Sequence, residues 1–180
     1  MRYEMRFAGV GGQGAILAGA IIAEAAVMYM GLQSVQSPKY TSQVRGGATK
    51  VDVIISDTPV LFPNTTEINF MLAIHQAAYN RYAENLGKDC IILADSGLVS
   101  KVDTTKKVYM IPFNKLAKEK FGKTLFSNII SVGSICALLE GRITEEALRK
   151  SVADSVPAKF IDENMKAFDI GIDAVKNYKG

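Results

Sequence analysis

The sequence has little of what most metal, redox or nucleic-acid sites require. It contains two cysteines, Cys90 and Cys136, which lie far apart, each within an apolar run, and it has no C-x-x-C pair. This pattern excludes an iron–sulfur or zinc ligand set and predicts two buried, reduced thiols. The net charge is only +3 and the basic residues are spread along the chain, so no nucleic-acid partner is expected.

A long hydrophobic run is also missing. The longest apolar stretch, residues 15–30, is too short to cross a bilayer and carries Glu24 in its interior. Because Arg2, Glu4 and Arg6 precede the first apolar strand, the N-terminus has no signal-peptide pattern. We therefore expect a cytoplasmic protein with no membrane partner.

The hydrophobic pattern predicts strands that alternate with helices, followed by a helical C-terminal part. Strands are predicted at residues 5–10, 32–36, 48–56, 68–74, 90–94 and 107–111. Helices are predicted at residues 13–30, 76–86, 114–121, 126–139, 144–153 and 157–175. This order indicates one domain, residues 1–180, of the α/β class: a three-layer α/β/α fold with an open, mostly parallel, Rossmann-like sheet.

Three local features refine this prediction. The first helix should end at Gly31 and lead into a second strand, giving a strand–helix–strand unit. In residues 48–56 the apolar side chains alternate with Lys50 and Asp52, which predicts a strand with only one face fully buried. Asn114 is placed to cap the helix that ends at Phe121.

A glycine-rich loop follows the first strand. Gly9, Gly11 and Gly14, with Gly12 and Gln13 between them, satisfy G-x-G-x-x-G between a strand and a helix. The pattern predicts a tight turn, close approach of an anion to the backbone and close packing of the helix on the strand. No acidic residue closes the second strand, so a nicotinamide dinucleotide site is not expected. A purely structural role and a role in binding a phosphate or a neighbouring subunit both remain open.

The glycine loop and a later arginine–glycine motif together resemble the gamma subunit of 2-oxoacid:ferredoxin oxidoreductases. That family typically combines a G-x-G-G-Q-G loop, an A-E-A-A helix core, a tyrosine, R-G-G or R-G-A, and a strand that ends in I-S-D. The corresponding segments here are Gly9 to Gly14, Ala23-Glu24-Ala25-Ala26, Tyr40, Arg45-Gly46-Gly47 and Ile55-Ser56-Asp57. The R-G-G form is similar to the 2-oxoglutarate branch, and Thr41 and Gln43 replace the family's commoner glycine and acid.

The resemblance implies an enzyme subunit that converts 2-oxoglutarate, coenzyme A and oxidised ferredoxin to succinyl-CoA, CO2 and reduced ferredoxin. It implies no cofactor in this chain, with thiamine diphosphate, magnesium and 4Fe–4S clusters on thiamine-binding and ferredoxin-like partner subunits. Ferredoxin or flavodoxin would accept the electrons, and the isolated chain would be inactive. Gly9, Gly11, Gly12, Gln13 and Gly14 would form a phosphate or interface loop. Tyr40, Arg45, Gly46 and Gly47 would contact coenzyme A or a partner.

Two alternatives stay open at this point. The alternatives to the 2-oxoglutarate branch are a free-standing Rossmann-like nucleotide-binding protein and a gamma-type subunit that acts on pyruvate, branched-chain 2-oxoacids or indolepyruvate. No catalytic or metal-binding residue is assigned, because His75 has no partner at recognisable spacing and Asp95-Ser96-Gly97 is typical of a turn.

Other candidate surfaces have simpler interpretations. Met28, Tyr29 and Met30 are interpreted as core or subunit contact. Lys115, Lys118, Lys120 and Lys123 are interpreted as a solvated face, on which an acidic ferredoxin could dock.

Overall fold

The computed structural model describes residues 1–11, 14–39 and 47–179. Within these residues one sheet contains six strands: β1 Arg2–Val10, β2 Gln33–Lys39, β3 Ala48–Ser56, β4 Ile68–Ala73, β5 Leu86–Asp95 and β6 Lys107–Ile111. The helices are α1 Ala15–Glu24, α2 Gln76–Tyr82, α3 Phe113–Phe121, α4 Ser127–Leu138, α5 Glu145–Ser155 and α6 Ile161–Lys176. Short 3-10 turns, Thr124–Phe126 and Ala158–Phe160, lead into α4 and α6.

The strand order is β2-β3-β1-β4-β5-β6. β1, β4, β5 and β6 pair in parallel, whereas β3 runs antiparallel to both β1 and β2. Five of these strands therefore point the same way, which confirms the prediction of a mostly parallel α/β sheet. The predicted strand–helix–strand unit does not join adjacent strands, because β3 lies between β1 and β2.

The two faces of the sheet are covered unequally. One large core joins side chains such as Phe7, Val53 and Phe70 to all helices except α2. The opposite core is smaller and brings Met71 and Cys90 against α2. Residues 57–67 extend this second cover, since Arg6 on that face donates hydrogen bonds both to the Tyr82 carbonyl at the end of α2 and to Thr65.

α1 is apolar on nearly every side because it lies between the sheet and other helices. Gly19 allows this close approach, since a Cβ there would lie 2.6 Å from Val51 Cγ1. The helix continues through a π-helical turn, Ala25–Tyr29, and the chain turns at Gly31 with φ of 65°, as predicted for its end. Met28 and Tyr29 are exposed, so the core interpretation is wrong for them, whereas Met30 packs against the large core; subunit contact stays a prediction.

The prediction that β3 has only one fully buried face is also wrong. Lys50 and Asp52 are buried, as is Arg6 on the neighbouring strand. Arg6 Nε and Nη2 donate to the two carboxylate oxygens of Asp52 at 2.7 and 2.8 Å, and Lys50 Nζ donates to Asp52 Oδ2 at 2.6 Å. The charges can be buried because the Asp52 carboxylate lies between the two cations and their hydrogen bonds are formed inside the protein.

The same arginine explains why α2 ends earlier than predicted. The helix ends at Tyr82, and residue 86 already begins β5. Arg6 Nη1 donates to the carbonyls of Tyr82 and Glu84 at 2.9 and 3.0 Å, which satisfies carbonyl groups that a longer helix would have used. Asn85 then takes a left-handed φ of 57°, and its carbonyl accepts from the Ile68 N–H.

Asn114 does not cap α3, contrary to the prediction. The helix begins at Phe113 after Pro112, and the cap position makes no side-chain hydrogen bond. Instead, the Asp95 carboxylate at the end of β5 accepts the backbone N–H of Asn114 at 3.2 Å. The capping oxygen therefore comes from a distant strand, which the local sequence could not reveal.

Candidate functional site

The carboxyl ends of β1 and β4 form the point where the fold can hold a ligand. α1, which follows β1, packs on one face of the sheet, and α2, which follows β4, packs on the other. The chain connections therefore diverge between these two adjacent parallel strands. In open α/β sheets, such a divergence leaves a crevice beyond the strand ends, and ligands bind there.

Two sequence motifs meet at this edge. The backbone N–H of Gly11, in the glycine loop, donates to the carbonyl of Gly47 at 3.3 Å. Next to this contact, Thr49 Oγ1 donates to the Gly9 carbonyl at 3.3 Å. The antiparallel direction of β3 causes the meeting, since its first residue, Ala48, pairs with Val10 at the end of β1.

Five of the sequence-predicted site residues lie outside the described residues: Gly12, Gln13, Tyr40, Arg45 and Gly46. Gly9, Gly11, Gly14 and Gly47 are described, and all four lie at the crevice edge. The roles assigned to these nine residues stay predictions.

The three described loop glycines differ in whether neighbouring atoms leave room for a side chain. A Cβ on Gly9 would lie 2.8 Å from Ile74 Cγ1, and one on Gly14 would lie 2.8 Å from Asn128 Cβ. Gly14 also has a left-handed φ of 77° and precedes α1 without a side-chain cap. A Cβ on Gly11 would meet no described atom within 4 Å. Gly9 and Gly14 thus serve internal packing, whereas none of the described residues requires a glycine at position 11.

The predicted close packing of helix on strand belongs to another glycine. The atoms nearest to Gly14 are those of Asn128 in α4, and Gly19, within α1, is the residue that approaches β3. The motif spacing pointed to Gly14, and only the apolar composition around Gly19 could have indicated the second position.

A cavity of about 800 Å3 opens beside the glycine loop. Gly14 and Ile74 border it near the strand ends, and the apolar side chain of Phe113 forms part of its wall. Its polar lining comes from β5, α3, the turn after α3 and α4, and includes Asp95, Asn114, Lys118, Lys123, Asn128 and Ser131. The cavity has the size and mixed lining of a small-molecule site.

Asp95 is the buried acid of this cavity. Its side chain is 2 % exposed, and its two carboxylate oxygens accept the backbone N–H groups of Gly97 at 2.8 Å and Asn114 at 3.2 Å. Burial raises the pKa of Asp95, and these two N–H groups only partly oppose that effect. The sequence interpretation of a structural turn agrees with the contacts, and the cavity adds access to a ligand.

Lys118 and Lys123 provide positive charge at the same cavity. Both side chains are exposed, as the interpretation of a solvated face predicted, and both line the cavity. They reach it together because Gly122 ends α3 with a φ of 69° and turns the chain toward α4. Spacing alone could not show this convergence, since it depends on the turn.

The remaining candidates lie apart from the cavity lining. His75 caps α2, with Nδ1 accepting the Ala77 N–H at 3.2 Å, in agreement with a structural role. Cys90 and Cys136 are free, and burial raises the pKa of each thiol to about 11, so neither is an activated nucleophile. Among the described residues no group of three His, Cys, Asp or Glu side chains is placed to hold a metal ion.

A known family accounts for this combination of glycine motifs, sheet and crevice. The family model described as pyruvate ferredoxin/flavodoxin oxidoreductase matches residues 4–174. The chain belongs to this family. The match includes both glycine motifs and every helix and strand of the cavity. Of the described helices, none is long and apolar enough to pass through a membrane.

Individual members of the family are similar over nearly their whole length. The 2-oxoglutarate synthase subunit KorC of Methanocaldococcus jannaschii is 36 % identical over 98 % of this chain and 95 % of its own. A crystal structure of a keto/oxoacid ferredoxin oxidoreductase gamma subunit from Geobacter sulfurreducens superposes with a TM-score of 0.86 at 38 % identity. That likeness covers 98 % of this chain and 99 % of the other.

The same fold also occurs inside a longer chain. The 2-oxoglutarate:ferredoxin oxidoreductase of Magnetococcus marinus, solved with 2-oxoglutarate, coenzyme A and succinyl-CoA bound, superposes with a TM-score of 0.85 at 24 % identity. The likeness covers 99 % of this chain but 32 % of that one. Members of this family are subunits of 2-oxoacid oxidoreductases, and the fold also occurs joined to further polypeptide.

Proposed function

We propose that this chain is the gamma-type subunit of a 2-oxoglutarate:ferredoxin oxidoreductase. The complex would convert 2-oxoglutarate, coenzyme A and oxidised ferredoxin to succinyl-CoA, CO2 and reduced ferredoxin. The observation that carries the proposal is the 36 % identity to a 2-oxoglutarate synthase subunit, which extends over nearly the full length of both chains. The R-G-G motif that begins at Arg45 supports the same branch.

In this proposal the redox chemistry belongs to partner subunits. A 4Fe–4S cluster usually takes four cysteine ligands, and this chain has two cysteines in all. Thiamine-binding and ferredoxin-like subunits would hold thiamine diphosphate, magnesium and the clusters. Ferredoxin or flavodoxin would accept the electrons in the cytoplasm, and the isolated chain would have no activity.

The crevice would contribute contacts to coenzyme A. This co-substrate is polyanionic, and Lys118 and Lys123 offer it positive charge at the cavity that Gly14 borders. Tyr40, Arg45, Gly46 and Gly47 would extend this contact, or would bind the partner subunit next to it. The hydrogen bond between Gly11 and Gly47 supports treating the two motifs as one surface.

The deciding experiment is an anaerobic purification of the tagged chain from its native cells. Co-purification with thiamine-binding and iron–sulfur subunits, and dye reduction that requires both 2-oxoglutarate and coenzyme A, is the expected result. Preference for pyruvate, a branched-chain 2-oxoacid or indolepyruvate would keep the subunit role and replace the substrate. A chain that purifies alone with a nucleotide bound would establish a free-standing nucleotide-binding protein instead.

A further inference from the structure

The cavity beside the glycine loop has a buried acid at its inner end and exposed cations at its entrance. Asp95, which ends β5, is 2 % exposed, and Phe113 in the wall of the cavity is 1 % exposed. Lys118 and Lys123 line the same cavity with exposed side chains. A ligand that fills the cavity must therefore present different chemistry to its two ends.

The Asp95 carboxylate has capacity for a further hydrogen bond. Among the described residues its partners are two backbone N–H groups, those of Gly97 at 2.8 Å and Asn114 at 3.2 Å. An ionised carboxylate has about four positions at which it accepts hydrogen bonds, so about half of them remain available. The raised pKa of Asp95, which burial causes first, agrees with a charge that the protein itself compensates only in part.

A neutral N–H donor on a flat ring is the group that completes this end of the cavity. A negatively charged group would be repelled by Asp95, and a purely apolar group would cover the carboxylate without bonding to it. Ile74 and Phe113 supply an apolar wall on which a ring can pack. An amino acid also carries N–H donors at one end and an anion at the other, but a cavity of about 800 Å3 suits a much larger ligand.

Two polar side chains of α4 add complementary groups for such a ring. Asn128 Oδ1 accepts the N–H of Ile129 at 2.9 Å, which leaves the Asn128 amino group to donate to a ring nitrogen. Ser131 is 2 % exposed, and its hydroxyl donates to the Asn128 carbonyl at 2.6 Å, so its oxygen can only accept from a ligand. The lining thus offers both a donor and acceptors to a nitrogen heterocycle.

From this arrangement we infer that Asp95 binds the exocyclic amino group of an adenine ring, while Lys118 and Lys123 bind the phosphates of the same nucleotide. The inference rests on the proposed function, in which coenzyme A supplies the nucleotide as its adenosine 3′,5′-bisphosphate end. It adds an orientation to that proposal: the adenine lies inside the cavity, and the thiol end leads out of it. Asp95 determines the preference for adenine and takes no part in the redox chemistry.

The test measures nucleotide binding by isothermal titration calorimetry to the protein as it purifies from native cells, alone or in its complex. Adenosine 3′,5′-bisphosphate is compared with purine riboside 3′,5′-bisphosphate, in which a hydrogen replaces the amino group. We expect the wild type to bind the adenosine compound roughly tenfold more tightly, because only that compound donates an N–H to the charged acceptor. Equal affinities, or no binding of either compound, would overturn the inference.

Two variants separate a binding role of Asp95 from a structural one. Asp95→Asn replaces the charged acceptor by a neutral amide of the same size, so the preference for adenosine should fall to roughly threefold or less. Asp89→Asn makes the same change at an exposed position of β5 outside the cavity lining and should keep the wild-type preference. A structural role alone would change stability or both affinities but not their ratio, so an unchanged ratio in Asp95→Asn contradicts the inference.

The remaining comparisons distinguish this inference from the proposed function. AMP lacks the 3′-phosphate and should bind roughly fivefold or more weakly than the bisphosphate; equal binding would make the occupant a free nucleotide and overturn coenzyme A as its source. If Asp95→Asn does not fold, the wild-type comparison of the two bisphosphates decides alone. Equal affinities in a complex whose activity requires coenzyme A would remove only this inference. A chain that purifies alone but prefers adenosine would remove only the proposed function.

Discussion

Within the glycine loop, Gly11 differs from Gly9 and Gly14 in that the described structure gives it no packing role. At its neighbours Gly9 and Gly14, a Cβ would clash with atoms of Ile74 and Asn128, whereas no described atom occupies the space beside Gly11. A methyl group added at Gly11 should therefore weaken ligand binding without lowering the stability of the fold.

The first prediction compares Gly11→Ala with Gly14→Ala. Gly11→Ala should change the free energy of unfolding by less than about 0.5 kcal/mol, but raise the KM of the complex for coenzyme A roughly tenfold. Gly14→Ala should destabilise the chain by about 1–3 kcal/mol, because of its left-handed φ and the contact with Asn128. Urea unfolding and steady-state kinetics measure the two effects. An unchanged KM in Gly11→Ala would remove coenzyme A from this position.

Asp52 connects two buried cations, so its loss should be severe. Asp52→Asn leaves Arg6 and Lys50 buried without their anion, and we expect a loss of about 3–5 kcal/mol in the free energy of unfolding. Exposed pairs provide the contrast. Glu146→Gln, which breaks only the surface pair with Lys150, should cost less than about 1 kcal/mol. Comparable losses in both variants would contradict the assigned role of burial.

The same carboxylate predicts a dependence of stability on pH. Burial by itself raises the pKa of Asp52, but the hydrogen bonds and charges of Arg6 and Lys50 outweigh burial and hold the pKa below its usual value. The unfolded chain therefore takes up this proton at higher pH than the folded chain does. The stabilisation should be complete above about pH 4 and should be lost as the pH falls through the folded-state pKa. Urea midpoints measured from pH 7 to pH 3 should fall less steeply in Asp52→Asn than in the wild type.

At the level of elements, α4 and α6 cross with their backbones in contact. A Cβ on Gly133 would lie 2.0 Å from the Phe168 carbonyl oxygen, and one on Gly171 would lie 2.0 Å from that of Ile130. Ser134 Oγ donates to the Gly171 carbonyl at 2.9 Å within the same crossing. Backbone atoms cannot rotate away as side chains can, so each glycine sets how closely the two helices approach.

Gly133→Ala should consequently destabilise the chain even though alanine favours helices. The gain in helix propensity is at most about 1 kcal/mol, whereas separating two packed helices costs about 3 kcal/mol or more. Lys166→Ala, on the exposed side of α6, is the control and should stay within about 0.5 kcal/mol of the wild type. Chemical denaturation of the purified chains provides both values. A neutral Gly133→Ala would mean that the helices can separate without loss.

The sequence predicts the bounds of a helix or strand well where only nearby residues determine them. β3 and β6 were predicted at their observed bounds, and Thr144 caps α5 as its position before two acidic residues suggests. The errors occur where a distant group takes part. Arg6 ends α2, Asp95 replaces Asn114 as the acceptor at α3, and Arg6 allows Asp52 to be buried.

The candidate site was only partly predictable for the same reason. Both glycine motifs are visible in the sequence, and an antiparallel β3 brings the second motif to the first. The cavity depends instead on side chains from separate parts of the chain that meet only after folding, so Lys118 and Lys123 could not be distinguished from Lys115 and Lys120.

At the level of the whole molecule, charge reversal can test whether the cavity lysines act differently from the other lysines nearby. Lys118→Glu with Lys123→Glu places two negative charges at the cavity, and Lys115→Glu with Lys120→Glu makes the same change in net charge on α3 away from it. In the assembled complex, the first pair should raise the KM for coenzyme A roughly tenfold, more at low ionic strength, and the second should leave it unchanged. Steady-state kinetics with ferredoxin varied separately completes the comparison. If both pairs weaken ferredoxin equally and neither affects coenzyme A, the lysines form a docking face for the acceptor.

The hairpin of β2 and β3 has a consequence for how such proteins diversify. Lys39 pairs with Lys50 at the edge where β1 ends, so whatever chain connects them must leave and return beside the crevice. Lengthening a connection of this kind costs little, about 0.6 kcal/mol for each doubling. Insertions and replacements between these two strands can therefore accumulate over evolution without disturbing the sheet. In the proposed complex, the hairpin would give the family a position at which substrate or partner preference can change while the scaffold stays the same.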